Sequence, residues 1–431
     1  MADYLSLTEA EKREMLNAIG VDSVEDLFED VPKSLRVKKL NLPQGKSQQE
    51  TYNFMRALSK RNKVYDSIFL GAGSYDHFIP SVVKSVCSRS EFVTAYTPYQ
   101  AEMSQGILQA IFEYQTMICN LTGMDVSNAS HYSGATAAAE GCIMSADKVK
   151  RVVTFDNINP DVMDVLTTYL TSRGIELKVL DSVDGKAVLP DDVGAMGAVY
   201  VENPNFYGLI EDTTSIAETC HANGGKLVLG MNPIAMAIMA SPREQGADVA
   251  VGEAQPLGLP MSFGGPYIGY MATTSKEMRK MPGRIVGETT DSEGNRAYVL
   301  TLQAREQHIR RERATSNICS NEALCALTVS VYLASVGAEG LKEVATACTS
   351  NAHYLAKGLV EKGAKLCFNG EFFHEFVTLT EGKAEEILTA LAKENILGGL
   401  MIDRDTILWC CTEKATKETM DKVLEIVGGV L

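Results

Sequence analysis

The chain has 431 residues, 45% hydrophobic and 22% charged, which is length and apolar content enough for a large and a small domain with separate cores. A net charge of −15 excludes a nucleic-acid backbone or an anionic membrane as the main partner, since both select a cationic surface. Ten cysteines without a C-x-x-C pair or a zinc spacing match the reducing cytoplasm, and the early charge in MADYLSLTEAEKREM argues against a signal or transit peptide. The longest apolar stretch noted, Leu227 to Ala240, is broken by Asn232 and Pro233, so no membrane span is expected.

The first 70 residues read as a peripheral helical segment. Ser6 and Glu9 have capping-box spacing, Gly20 offers a stop, and a second short helix is expected over 23–30 before Pro32. From Gly71 the texture changes to a glycine-rich loop, GAGSYDHFIP, and an aromatic segment, EFVTAYTPYQ. A helix follows from about Glu102 to Leu121, with Ile107, Ile111 and Ile118 on one face and Gly123 closing it.

Short apolar runs then alternate with amphipathic stretches. Strands are expected at 152–155, 176–180, 198–201, 226–229 and 248–251, and helices at 161–173 and 213–221. That alternation predicts a parallel, layered α/β sheet with ligands at the carboxyl ends of its strands. After about residue 320 come two long helices (321–336 and 339–362), strands at 365–368, 375–379 and 406–411, and helices at 383–393 and 417–427. The expected organisation is a helical segment over 1–70, a large α/β domain over 71–318 and a small α+β domain over 319–431.

The sharpest local feature is HYSGATAAAEGC, residues 131–142. Ser133, Gly134 and Thr136 open an alanine-rich helix whose free amides can cradle a phosphate, or simply start a tightly packed helix. ENPNFYG (202–208) follows a strand and reads as a turn or as a ligand contact. Glycine-rich loops at 230–233, 252–260 and 264–266 suggest one crowded site or a subunit contact. The histidines are dispersed; His77 and His131 lie near the proposed site, but lone histidines are more often structural. No HExxH, GxSxG or Walker loop is present. Four arginines between Arg305 and Arg313 form a small basic patch suited to salt bridges or a small anion.

In this order the segments FLGAGSYDHFIP, FVTAYTPYQAEMSQGILQAIFEYQTMICNLTGMDVSNAS, ENPNFYGLIED, LPMSFGGPYIGYMA and REQHIRRERATSNICSNEALCAL resemble the P-protein of the glycine cleavage system, in its amino-terminal or alpha-subunit form. The resemblance covers nearly the whole chain. It implies the pyridoxal-phosphate (PLP)-dependent transferase fold of the aspartate-aminotransferase type, fold type I. It also implies a complex that decarboxylates glycine and passes the aminomethyl group to the lipoyl-lysine of H-protein, with PLP as electron sink. Such a site needs a Schiff-base lysine, an acid for the pyridinium nitrogen and a phosphate cup.

This chain departs from that set twice. Gly230 stands where the catalytic homologue has an aspartate, and Gln255 where it has the lysine; no lysine at all occurs between Lys226 and Lys276. Ser133, Gly134 and Thr136 then look like a vestigial phosphate cup. The resemblance implies an alpha subunit, inactive alone, paired with a lysine-bearing beta subunit as α2β2. PLP would sit on that partner and none would be bound covalently to this chain. Tyr96, Tyr99, Gln100 and Glu102 are the candidates for reaching the partner's site, since aromatic groups with polar tips and a carboxylate suit that role. The rival readings are an independent PLP enzyme of the same fold and a purely structural scaffold.

Overall fold

A computed structural model describes residues 7–37, 39–95, 97–318 and 320–431. The chain divides into two compact units, 1–63 and 64–431. In the first, α1 (Glu9–Ile19) and α2 (Gln48–Ser59) start at capping boxes, Thr8 with Glu11 and Ser47 with Glu50. The box expected at Ser6 and Glu9 is therefore displaced by two residues, and Ser6 lies outside the described residues. The helix expected over 23–30 is a 3₁₀ stretch, Val24–Phe28, capped by Ser23 and Asp26; the approach of Pro32 leaves no room for a longer helix. None of the described residues of this unit is buried, so local caps rather than a core define its helices.

The second unit opens with β1 (Ser67–Ile68), α3 (Ser81–Cys87), α4 (Ser90–Val93) and α5 (Gln105–Thr122). α5 starts three residues later than Glu102 because residues 101–103 form a turn, and it ends at the left-handed Gly123 (φ 71°) as expected. Next come β2 (Val126–Ser127), α6 (Gly134–Ser145), β3 (Arg151–Phe155), α7 (Pro160–Ser172) and β4 (Glu176–Leu180). β5 (Ala198–Asn203), α8 (Thr213–Ala222), β6 (Lys226–Met231), β7 (Val249–Glu253) and β8 (Gly269–Thr273) complete a seven-stranded sheet of order β2-β8-β7-β6-β5-β3-β4.

Strands β4, β3, β5, β6 and β7 run parallel, and β8 and β2 are antiparallel additions at one edge. Both faces are covered. Val153, Val199, Val201, Leu227 and Leu229 enter one core, while Val152, Ala198, Tyr200, Val228 and Val251 enter the core beneath α6. Each such aliphatic side chain contributes roughly 1.5–3 kcal/mol on burial, so the central strands are strongly held. Sequence reading found β3 to β7 but missed β8, whose five residues are all buried and do not alternate. It also missed the hairpin of β9 (Ile285–Thr290) and β10 (Arg296–Thr301), whose Val286 and Tyr298 are buried in one cluster with Ile107, Leu108 and Ile111 of α5.

After the short α9 (Gln307–Arg310), α10 (Ala323–Glu361) is two helices joined at Gly337 (φ 62°, ψ −175°), the break the sequence indicated between 336 and 339. By length and composition α10 could cross a membrane, and the sequence reading overlooked it. Its residues Ala326, Val329 and Tyr332 are instead buried in the core beside the large sheet. The chain ends with β11 (Lys365–Leu366), β12 (Glu375–Leu379), α11 (Ala384–Lys393), β13 (Ile396–Leu397), β14 (Leu400–Met401), β15 (Thr406–Cys410) and α12 (Lys417–Val430). The antiparallel sheet β11-β12-β15-β14 packs Phe376, Ile407 and Trp409 against Leu355 and Val423, and β1 pairs in parallel with β13.

Candidate functional site

The carboxyl ends of β5, β6 and β7 open on a cavity of about 330 Å³, the position at which parallel α/β sheets place ligands. The 72–75 loop, the start of α6, and Glu375 at the head of β12 close it. Among the described residues its lining holds four acids, Asp161, Glu202, Glu253 and Glu375, and no lysine, arginine or histidine.

Ser133 caps α6 as expected: its Oγ accepts from the Thr136 amide at 3.2 Å, and the Thr136 hydroxyl donates to the Ser133 carbonyl at 2.9 Å. Thr136 faces away and does not line the cavity. The Gly134 amide, the donor a phosphate would use, donates to Glu253 Oε2 at 2.9 Å. Glu253 Oε1 accepts from the amides of Gln255 at 3.0 Å and Ile268 at 3.1 Å. The cup expected to be vestigial is filled by a carboxylate of the chain itself.

Gln255 is buried and acts as a cross-brace. Its Nε2 donates to the carbonyls of Tyr75 (3.0 Å) and Leu259 (2.8 Å), while its Oε1 accepts from the Tyr75 amide (3.0 Å). Gly230 has no room for a side chain, because a Cβ there would stand 2.6 Å from Tyr200 Oη. That hydroxyl donates to Glu202 Oε1 at 3.0 Å, and Glu202 Oε2 accepts from the Asn159 amide at 2.7 Å. Glu375 accepts from the Ala72 amide at 2.6 Å and the Tyr75 hydroxyl at 2.8 Å.

A PLP molecule needs a lysine, an acid near its ring nitrogen and a free anion cup. The cavity offers acids, Glu202 among them beside Gly230, but among the described residues it offers neither the lysine nor a free anion cup, so these residues do not fit the group. Sequence reading placed Glu202 and Glu253 in loops flagged as ligand contacts or a crowded site, and those loops do line the cavity, but it gave neither acid a role and missed Glu375, Tyr75 and Tyr200. Glu202 and Glu253 carried a signal, since each is an acid at the end of an apolar strand (VYVE, VAVGE) where ligands bind. Glu375 carried none, because only the tertiary structure brings β12 to this cavity.

Desolvation pushes the carboxyls of Glu202, Glu253 and Glu375 up to about 7. A carboxyl raised in the folded state binds more protons there than in the unfolded chain. Its contribution to stability is complete below the ordinary value of 4.5 and is lost as pH rises through about 7. Thermal unfolding should therefore give a lower Tm at about pH 8 than at about pH 6, and Glu202→Gln or Glu253→Gln should each flatten that slope, by ~1–3 kcal/mol per group. An unchanged slope in both variants would rule out ionisation of these carboxyls as its cause.

The other expected residues lie elsewhere. Tyr99, Gln100 and Glu102 do not line the cavity; all three are exposed, and Tyr96 is outside the described residues. The Tyr99 hydroxyl accepts from Arg284, whose guanidinium lies 4.3 Å over its ring. His77 is buried and bonds Glu413 through Nδ1 at 2.7 Å. Glu413 also takes the Phe78 amide and the Cys348 thiol, so the carboxylate ties this His-Cys-Glu cluster together, while His77 Nε2 is buried without a hydrogen-bond partner among the described residues. His131 is buried against Asn128, and burial lowers its pKa to about 3. In the basic run, Arg305 turns inward to the carbonyls of Met281 and Gly283, while Arg310 rims a pocket of about 480 Å³ together with Lys150, Arg173, Arg279 and Lys280.

Residues 2–427 match the family described as glycine cleavage system P-protein. The chain belongs to that family. It is 46% identical over 444 residues to the probable glycine dehydrogenase (decarboxylating) subunit 1 of Desulfitobacterium hafniense, covering 99% of this chain and 100% of that protein. It is also 46% identical to the protein of the same name from Moorella thermoacetica, covering 99% of each. The crystal structure of a glycine decarboxylase (P-protein) of the glycine cleavage system in inhibitor-bound form superposes with a TM-score of 0.93 at 41% identity, covering 100% of both chains. An aspartate aminotransferase from Thermus thermophilus shares the fold at a TM-score of 0.61 and 13% identity, covering 85% of this chain and 100% of that one. The fold is thus that of the type I PLP-dependent transferases, as the sequence implied. Family membership makes the acid-lined cavity a departure within a cofactor-binding fold.

Proposed function

We propose that this chain is the non-catalytic alpha subunit of a heteromeric, cytoplasmic glycine decarboxylase. A homologous beta subunit holds PLP, and the α2β2 complex decarboxylates glycine and passes the aminomethyl group to the lipoyl-lysine of H-protein. The observation that carries this reading is the cavity itself, lined by four acids and no base, with Gln255 hydrogen-bonded into the fold at the lysine's place. The naming of the relatives as subunit 1 supports a second subunit. An independent PLP enzyme is disfavoured by the same lining.

The test is borohydride reduction with PLP followed by intact mass, with and without the beta subunit. The pyridoxyl mass is expected on the beta chain alone. A stoichiometric adduct on one lysine of this chain by itself would overturn the assignment.

Within this reading the 96–102 segment lends groups to the partner's site, with Tyr96, Tyr99, Gln100 and Glu102 as contributors. The exposure of Tyr99, Gln100 and Glu102 supports this, as does the support Arg284 gives the Tyr99 ring. Tyr99→Phe keeps the ring and removes one hydroxyl. Assembly by size-exclusion chromatography should be intact, with turnover of the complex lowered several-fold; unchanged turnover would favour a structural scaffold.

A further inference from the structure

Three backbone amides from three segments converge on one carboxylate: Gly134 at the start of α6, Gln255 after β7, and Ile268 before β8 all donate to Glu253. Of the other two amides of the first turn, Thr136 is already satisfied by Ser133, and Ala135 lines the cavity beside Gly134. Converging amides at a helix start form a cup for an anion, and here the anion is a side chain built into the chain. The enclosure is tight, since a Cβ on Gly134 would stand 2.6 Å from the Glu253 amide nitrogen.

We infer that Glu253 is a specificity-determining residue that occupies the amide cup at the start of α6 and denies this cavity to phosphate esters. A phosphate ester would have to displace the Glu253 carboxylate and then lie in a cavity shared with Glu202 and Glu375, with no cationic side chain in the lining. Loss of the lysine is therefore not the sole block on the cofactor: the cup is closed independently of it. This rests on the non-catalytic reading but is separable from it, because the cup is probed with phosphate alone and that reading by where a pyridoxyl mass appears.

The test measures binding of inorganic phosphate to the full chain by calorimetry and ³¹P line broadening. Wild type is compared with Glu253→Ala, which empties the cup, and Glu253→Gln, which keeps it filled. Glu253→Ala is expected to gain saturable binding at least tenfold tighter than wild type, with Glu253→Gln like wild type. Glu253→Ser, whose hydroxyl can satisfy a released amide, takes the place of Glu253→Ala if that variant does not fold. The inference is overturned if wild type binds phosphate as tightly as the emptied variant, if the emptied, folded variant gains nothing, or if Glu253→Gln gains as much.

Discussion

Gln255→Lys is expected to leave the chain unable to take up PLP and to destabilise it by roughly 3 kcal/mol or more. Gln255 is 1% exposed, and its side-chain oxygen is the acceptor for the Tyr75 amide. Lysine has three donors and no acceptor, so the Tyr75 amide loses its partner and an ammonium is buried in its place. The cofactor gains nothing in exchange. Glu253 still fills the amide cup, and Tyr200 still stands against Gly230, the position at which the resemblance would put an acid for the ring nitrogen. Denaturant unfolding and borohydride-trapped mass measure the two halves. A stoichiometric pyridoxyl adduct at the introduced lysine would show that the missing amine was the only obstacle.

A still larger loss is expected at Gly208, in the Asn205–Gly208 turn that follows β5. Its backbone has φ +84°, and a Cβ would stand 1.9 Å from the carbonyl oxygen of Glu375. That neighbour is backbone in the central strand of a packed sheet and cannot rotate aside. Around it the Asn205 side chain bonds Gly185, Tyr207, Leu209 and Glu211, so the turn itself is held from several directions. Gly208→Ala should lose more than about 4 kcal/mol and yield little folded protein, well beyond the ~1–2 kcal/mol of left-handed strain alone. Gly224 supplies the comparison, with φ +77° and nothing within 4 Å of its would-be Cβ. Gly224→Ala should stay folded with only the strain cost. Equal losses at the two positions would show that the approach to Glu375 is not what demands glycine.

Much of the fold was legible in the sequence because local patterns carried it. Apolar runs such as VVTF and KLVL could bury both faces only in a parallel sheet, and Ser133 before GATAAAE marked a helix start that the structure places at Gly134. The elements that went unseen lacked such patterns. β8 is buried throughout, and the β9–β10 hairpin shows no alternation, its Val286 and Tyr298 being buried against α5 only in the folded chain.

The absence of a lysine between Lys226 and Lys276 is a property of the sequence alone, and no arrangement of the chain in space can restore an amine to that segment. Family membership was likewise written in long, specific runs. What fills the place of the absent groups was decided only in three dimensions. Glu253 meets Gly134 across 119 positions, and Glu375 meets Tyr75 across 300. Helix and strand periods record which face of an element is apolar. They carry no information about which distant carboxylate the sheet register will set against a helix start, and that contact is what turns an empty cup into a filled one.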